Sequence, residues 1–273
     1  MATPPFPAFA TLATRVERGV LRVTLNRPEV RNAMSLAMVE ELSQALAVAE
    51  GSGDVRVVVL RGAGGHFCAG ADLKDMAAAR LRPGPAEPGR DGVAAGNASF
   101  GELCVAFART PLALVAVLEG TVMGGGFGLA CVADVALASD GVTFRLPETS
   151  LGVVPAQIAA YLVERIGYAQ AKRLAVTGSR VDAAAALAMG LVHEVHPVDR
   201  LEGALAKVLG EILACAPGAI AATKALVAKA RFTPPADLVA EAAAVFSRAA
   251  QSAEGREGTT AFVEKRKPNW VPP

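Results

Sequence analysis

Apolar and polar positions change rhythm several times along the chain. Residues 19–29, GVLRVTLNRPE, alternate between the two, the period of a strand that ends in a turn. Residues 35–51, SLAMVEELSQALAVAEG, switch to a helical period. Leu36, Met38, Val39, Leu42, Leu46 and Val48 then share one face, Ser35 is the cap and Gly51 the stop. VRVVVLRGAG (55–64) is a continuous β-branched run, which predicts a strand buried on both faces. The turn GGHFCAGADL leads into a helix over about 71–80. Residues 82–98, RPGPAEPGRDGVAAGNA, carry three prolines and four glycines and are expected to form a long loop, of the kind that often serves as a lid.

Beyond that loop the pattern predicts a helix at about 99–109 and a strand at 112–120. A glycine run opening a helix follows, then a strand at 135–139 and an extended segment at 142–155 with turns at its prolines. After Pro155 the segments are helical and end at glycine or proline. Strand–helix units followed by helices imply an α/β core over 1–200 and a helical region over 201–273.

Composition narrows the function classes. Hydrophobic residues make up 52% of the chain and aromatics 5%, so the apolar mass is small and aliphatic and suits helices laid closely on sheets. With 27 Lys+Arg against 26 Asp+Glu, the net charge of +1 leaves no footprint for nucleic acid, although a local basic cluster can still hold one phosphorylated ligand. Cys68, Cys104, Cys131 and Cys215 form no CxxC pair and read as free thiols of a reducing compartment. The opening MATPPFPAFATLATR lacks the pattern of a targeting segment, and a cytoplasmic location is expected. The apolar run 111–133 contains Glu119 and five glycines and is closely flanked by charge, which favours strand–turn–helix over a membrane span.

Two loop-to-helix junctions carry the candidate chemistry. FCAGADL (67–73) and MGGGFGL (123–129) each follow a buried strand and enter a helix. A helix start presents unpaired N–H groups at a positive dipole end, and small residues let a ligand oxygen reach them. Two such donors on one oxygen make an oxyanion hole. The plain structural alternative is that the glycines only let helices lie close to strands.

Together the junctions resemble the crotonase family, the enoyl-CoA hydratase/isomerase superfamily. LNRPEVRNAMS (25–35) looks like its first CoA-binding loop, and FCAGADLKDM (67–76) and GGGFGLACVADVALAS (124–139) like its two oxyanion segments. FRLPETSLGVVP (144–155) is similar to the segment bearing its acid/base glutamate, and EGREGTTAFVEKRKPNW (254–270) to its C-terminal signature. The resemblance implies a spiral of ββα units with C-terminal helices that drive assembly as a homotrimer or a dimer of trimers. It puts the oxyanion donors at the N–H groups of Ala69 and Gly125 and the acid/base at Glu148. CoA would lie along Val30, Arg31 and Ala33 and along Ala69, Gly70, Ala71, Asp72 and Leu73, with Phe262 and Lys265 reaching it, often from a neighbouring subunit. No metal or redox cofactor is implied, since CoA arrives as part of the thioester substrate.

One position departs from that pattern. Typical hydratases of the family flank a water with two glutamates, and the first falls here on Gly128. For a substrate with a carboxylate beyond the double bond, the space at Gly128 could then hold substrate or water rather than protein. Three readings stay open: a hydratase using Glu148 alone, an isomerase using Glu148 alone, and a non-catalytic acyl-CoA binder. GGGFGLA and GVVPAQIA further resemble a branch acting on branched glutaconyl-CoA thioesters, such as methylglutaconyl-CoA and isohexenylglutaconyl-CoA hydratases. HEVH (193–196) lacks HExxH spacing and reads as a strand and turn rather than a zinc site. His66 reads as a loop contact, Asp72 as a cap, Asp134 as a turn residue, and Arg145 as either an ion pair or a contact to a substrate carboxylate.

Overall fold

The computed structural model describes residues 6–81 and 91–272. A six-stranded sheet runs in the order β1 (Leu12–Glu17), β2 (Val20–Leu25), β3 (Val57–Gly62), β4 (Ala113–Leu118), β6 (Val135–Ser139), β9 (Glu194–His196). Only the β1–β2 pair is antiparallel. A smaller sheet pairs β5 (Thr121–Met123) with β7 (Thr143–Arg145) in parallel and β7 with β8 (Arg180–Asp182) in antiparallel. Single parallel bridges, Cys68 to Val122 and Met34 to Ala71, carry that second layer back toward the N-terminus. Successive turns of the chain thus leave one strand in the large sheet and a short extended piece beside it, which is a spiral.

Alternation within the continuous apolar runs explains why both faces of the large sheet are covered. Val57 and Val59 of β3 and Val115 and Val117 of β4 meet Leu201, Leu205, Val208 and Leu209 of α7 (Leu201–Ala214). The intervening Val58, Leu60, Leu114 and Ala116 face the main core with α1 (Leu36–Ser52). The expected boundary at 200/201 therefore does not part core from appendage, because α7 belongs to the core. The helices that leave it are α8 (Pro217–Ala230), α9 (Pro235–Gln251) and α10 (Ala253–Val263), of which α8 and α9 bury no residue.

Several expectations shift. Strand β1 was not expected; its pattern alternates as β2 does, and it lies at the sheet edge. Helix α1 passes through Gly51 and stops at Gly53, which takes the left-handed conformation at φ 71°. Helix α2 spans Leu73–Leu81. Of the expected loop, residues 82–90 lie outside the described residues, but the remainder is not loop. Asp91 Oδ1 accepts the N–H groups of Val93 and Ala94, both at 2.9 Å, and caps α3 (Gly92–Arg109). Gly96 is helical there because a Cβ would come within 3.0 Å of Leu36 Cδ2, so the glycine permits a close approach of α3 to α1. The stretch 111–133 is divided among β4, β5 and α4 (Gly125–Val132). No single described helix is long and apolar enough to cross a membrane.

Candidate active site

Hydrogen bonds bring the two glycine junctions together. Cys68 donates its N–H to Thr121 O at 3.0 Å and accepts the Met123 N–H at 2.9 Å, which fixes Cys68 opposite Val122. Two residues further on, Gly70 lies against Gly124, and Ala71 and Gly125 follow them into the two helix starts. The backbones touch: a Cβ on Gly124 would lie 3.4 Å from Gly70 Cα and 3.1 Å from Glu148 Oε1. Gly124 also has φ 49°, a conformation that L side chains rarely adopt, so both space and dihedral require glycine there. A Cβ on Gly126 would fall 2.6 Å from Cys68 Cβ, so this glycine lets α4 lie against the first junction.

The register corrects one assignment. The Ala69 N–H donates to Arg31 O at 2.9 Å and is not free for a ligand. Its neighbour differs. Met34 donates to Gly70 O at 2.8 Å and Asp72 donates to Met34 O at 2.9 Å, and these two bonds straddle Ala71, whose own N–H has no acceptor among the described residues. Gly125, the first residue of α4, likewise has an N–H without an acceptor among them, as a helix start dictates. The two junctions therefore each bring one unpaired donor to the same cavity, at Ala71 and at Gly125.

Glu148 approaches the same place from the other layer. It opens a 3-10 turn, Glu148–Leu151, closed by Gly152 at φ 72° and by Val153 N–H donating to Glu148 O at 3.0 Å. The preceding strand is tied to the second junction through Gly124 N–H to Arg145 O at 3.2 Å. Glu148 Oε2 is buried and has no hydrogen-bond partner among the described residues. Burial raises the Glu148 pKa above the usual carboxylate range, and a bond from its own N–H only partly offsets this. A neutral carboxyl that ionises reluctantly is suited to exchange protons with a substrate.

These groups line a cavity of about 680 Å³. Ala69, Gly70, Ala71, Asp72 and Leu73 line it, as do Gly125 and Glu148. Val30, Arg31 and Ala33 do not; they shape the loop behind it. Arg27 there donates to Ala33 O at 2.7 Å and pairs with Asp72 at 2.9 Å. Burial alone would raise the Asp72 pKa, but the Arg27 and Lys74 N–H bonds outweigh it and hold the carboxyl below its usual range. Asp72 also accepts the Lys74 N–H, so it is an ion-pair and helix-start residue. Phe262 is 85% exposed, and neither it nor Lys265 lines the cavity of its own chain.

Protein fills the space at position 128. A Cβ there would lie 2.3 Å from Ile158 Cγ2 and 3.2 Å from Ile158 Cβ, with Phe100 Cζ at 3.6 Å. The place of a second glutamate is filled by a buried isoleucine, so the expectation of open space is overturned. Sequence reasoning also missed Met34, Leu36, Phe100 and Gln157 of the lining, and Asn32 behind it. Asn32 is fully buried; it accepts the Arg27 N–H at 2.9 Å and donates to Ala63 O at 2.9 Å and His66 O at 2.7 Å. The available signal was an asparagine, which tolerates left-handed backbone, in the quoted motif; it takes φ 56°.

The remaining candidates are structural. Arg145 donates to Gly178 O at 2.8 Å, away from the cavity. Asp134 accepts the Leu114 N–H and pairs with Lys224. His66 accepts the Thr121 N–H at 3.1 Å. His196 pairs with Glu194, and His193 accepts the Ala136 N–H. No group of three or more metal-ligating side chains occurs among the described residues. All four cysteines are free; Cys215 is exposed and the other three are buried.

Comparison with known proteins agrees with this arrangement. The enoyl-CoA hydratase/isomerase family model matches residues 15–272. A Rhodobacter capsulatus protein named a probable enoyl-CoA hydratase is 32% identical, over 97% of this chain and 99% of its own. Among solved structures, an enoyl-CoA hydratase/isomerase from Marinobacter aquaeolei superposes with a TM-score of 0.93 at 46% identity, covering 96% of this chain and 99% of that one. Pseudomonas aeruginosa AtuE does so with a TM-score of 0.91 at 50% identity, covering 96% and 100%. With its spiral of paired sheets and its two facing glycine junctions, the chain belongs to the enoyl-CoA hydratase/isomerase family, the crotonase superfamily.

Proposed function

We propose that the protein hydrates the 2,3 double bond of an enoyl-CoA thioester, or removes water in reverse, with Glu148 as its single acid/base. The observation that carries this reading is the buried, unpartnered Glu148 Oε2 beside the unpaired N–H groups of Ala71 and Gly125. The Glu148 carboxylate takes a proton from water as the oxygen bonds to Cβ. The π electrons move through Cα to the thioester oxygen, which becomes an enolate oxygen between the two N–H groups. The enolate then collapses and Cα takes the proton from the Glu148 carboxyl. Each backbone donor of this kind contributes about 3–4 kcal/mol in other enzymes.

A specific observation favours a second reading. Ile158 over Gly128 leaves Glu148 without a second glutamate opposite it, and a double-bond shift needs one base and no activated water. The motif likeness puts branched glutaconyl-CoA thioesters first among substrates to be tried. No Lys or Arg is among the described residues that line the cavity. The exposed Val239, Phe246, Phe262 and Val263 support assembly through the C-terminal helices, with Phe262 and Lys265 then serving a neighbouring subunit's CoA.

Incubation with 2-enoyl-, 3-enoyl- and glutaconyl-type CoA thioesters, followed by mass spectrometry for the gain of water, tests the proposal. A hydrated product from a 2-enoyl-CoA is expected. Double-bond migration without water addition replaces it with the isomerase reading, and CoA-ester binding without turnover of any thioester leaves only a binder.

A further inference from the structure

Gln157 stands where the cavity ends. It lines the main cavity of about 680 Å³ and also a second groove of about 480 Å³ along α3. That groove is formed by Ala98, Gly101, Glu102, Val105 and Ala106, with Gln157 as the shared wall. The Gln157 side chain is held in two ways. Its Nε2 donates to Asn97 Oδ1 at 2.8 Å. Its amide also lies across Gly101, where a Cβ would come within 2.2 Å of Oε1 and 2.7 Å of Cδ. Asn97 and Gly101 are four residues apart and so share one face of α3. Gly101 sits in the interior of an 18-residue helix, where glycine is a poor helix former; the space it leaves is occupied by Gln157.

Phe100 ties this wall to the reacting end. A Cβ on Gly125 would lie 3.2 Å from Phe100 Cζ, so Phe100 flanks one oxyanion donor, and Asn97 is one helical turn before it. From Gly125 the cavity wall therefore continues along α3, through Phe100, to the Asn97–Gln157 pair.

We propose that Gln157, latched to Asn97, closes the acyl end of the cavity and sets the length of acyl chain accepted, and that its release joins the cavity to the α3 groove. The occupant of the joined groove is the distal methylene chain of a long acyl-CoA. Ala98, Val105 and Ala106 offer it apolar surface on the far side of Gln157. The proposal rests on the acyl-CoA reading above, but not on turnover.

The test is calorimetric titration of the full-length protein with saturated acyl-CoAs from butyryl to palmitoyl, which undergo no hydration. In the wild type, Kd is expected to fall with each methylene until the chain reaches Gln157 and then to level off. In Gln157→Ala the fall continues into longer chains, at up to about fourfold per buried methylene. Asn97→Ala removes the latch and keeps the wall, and shifts the levelling point in the same direction by less; it carries the test if Gln157→Ala does not fold. An unchanged levelling point in the folded variants overturns the proposal. Length-dependent binding that shifts as described, without turnover of any enoyl-CoA, would instead remove the hydratase reading and leave the latch standing.

Discussion

Filling position 128 probes why this position carries no second glutamate. In Gly128→Ala the new Cβ would sit 2.3 Å from Ile158 Cγ2. Carbon atoms rest at about 3.5–4.0 Å, so the atoms must part by roughly 1.2 Å or more. Ile158 is 2% exposed and branched at Cβ, and its own Cβ would be 3.2 Å away, so rotation alone does not relieve the contact. Overfilling of this kind costs about 1–3 kcal/mol, and a rigid neighbour places it at the upper end. Alanine in a helix returns about 1 kcal/mol over glycine. The net loss is then about 2 kcal/mol, or about 4–8 °C in melting temperature. The decisive measurement is a double-mutant cycle by thermal melts at one protein concentration, because assembly adds to apparent stability. Ile158→Ala alone should cost about 2–5 kcal/mol. In that background Gly128→Ala should stabilise by about 1 kcal/mol, a coupling of about 3 kcal/mol. Additive losses, or a neutral Gly128→Ala, would refute the reasoning that Ile158 closes this position.

Other outcomes follow from the site. Because burial raises the Glu148 pKa, the acid limb of kcat/KM for hydration should have its midpoint above the ordinary glutamate value of about 4.3, and Glu148→Gln should lower kcat/KM by about 10²–10⁴. The folded state holds that proton at higher pH than the unfolded chain, so the wild type loses stability as pH rises from the unfolded to the folded pKa. Glu148→Gln should therefore melt higher than the wild type at neutral pH, with the gap closing on acidification; a gap that widens in acid contradicts the burial argument. Asn32→Ala strips partners from the Arg27 N–H and from the Ala63 and His66 carbonyls. At about 1 kcal/mol each, urea denaturation should show a loss of about 3 kcal/mol, and a change under about 0.5 kcal/mol would show that the loop does not depend on it.

Much of this was legible in the chain itself. The period-2 run at 19–29 and the β-branched run at 55–64 gave β2 and β3, because side-chain alternation is a local property of extended backbone. Ser35 capped α1 as read, its Oγ accepting the Met38 N–H, since a cap needs only residues within one turn. The same locality misled at 82–98, where glycines suggested a loop although Asp91 caps a helix whose glycines admit Leu36 and Gln157 from elsewhere in the fold. The sequence by itself determined that two glycine junctions open helices and that position 128 has no carboxylate. Only the tertiary structure decided which N–H is free at the first junction. The bond from Ala69 to Arg31 O and the register of Cys68 against Val122 join residues far apart in the chain, and they move the donor to Ala71. It also decided that Ile158, thirty positions beyond Gly128, fills the place a second glutamate would need, because volume is allotted by what folds against a residue and not by its neighbours in sequence.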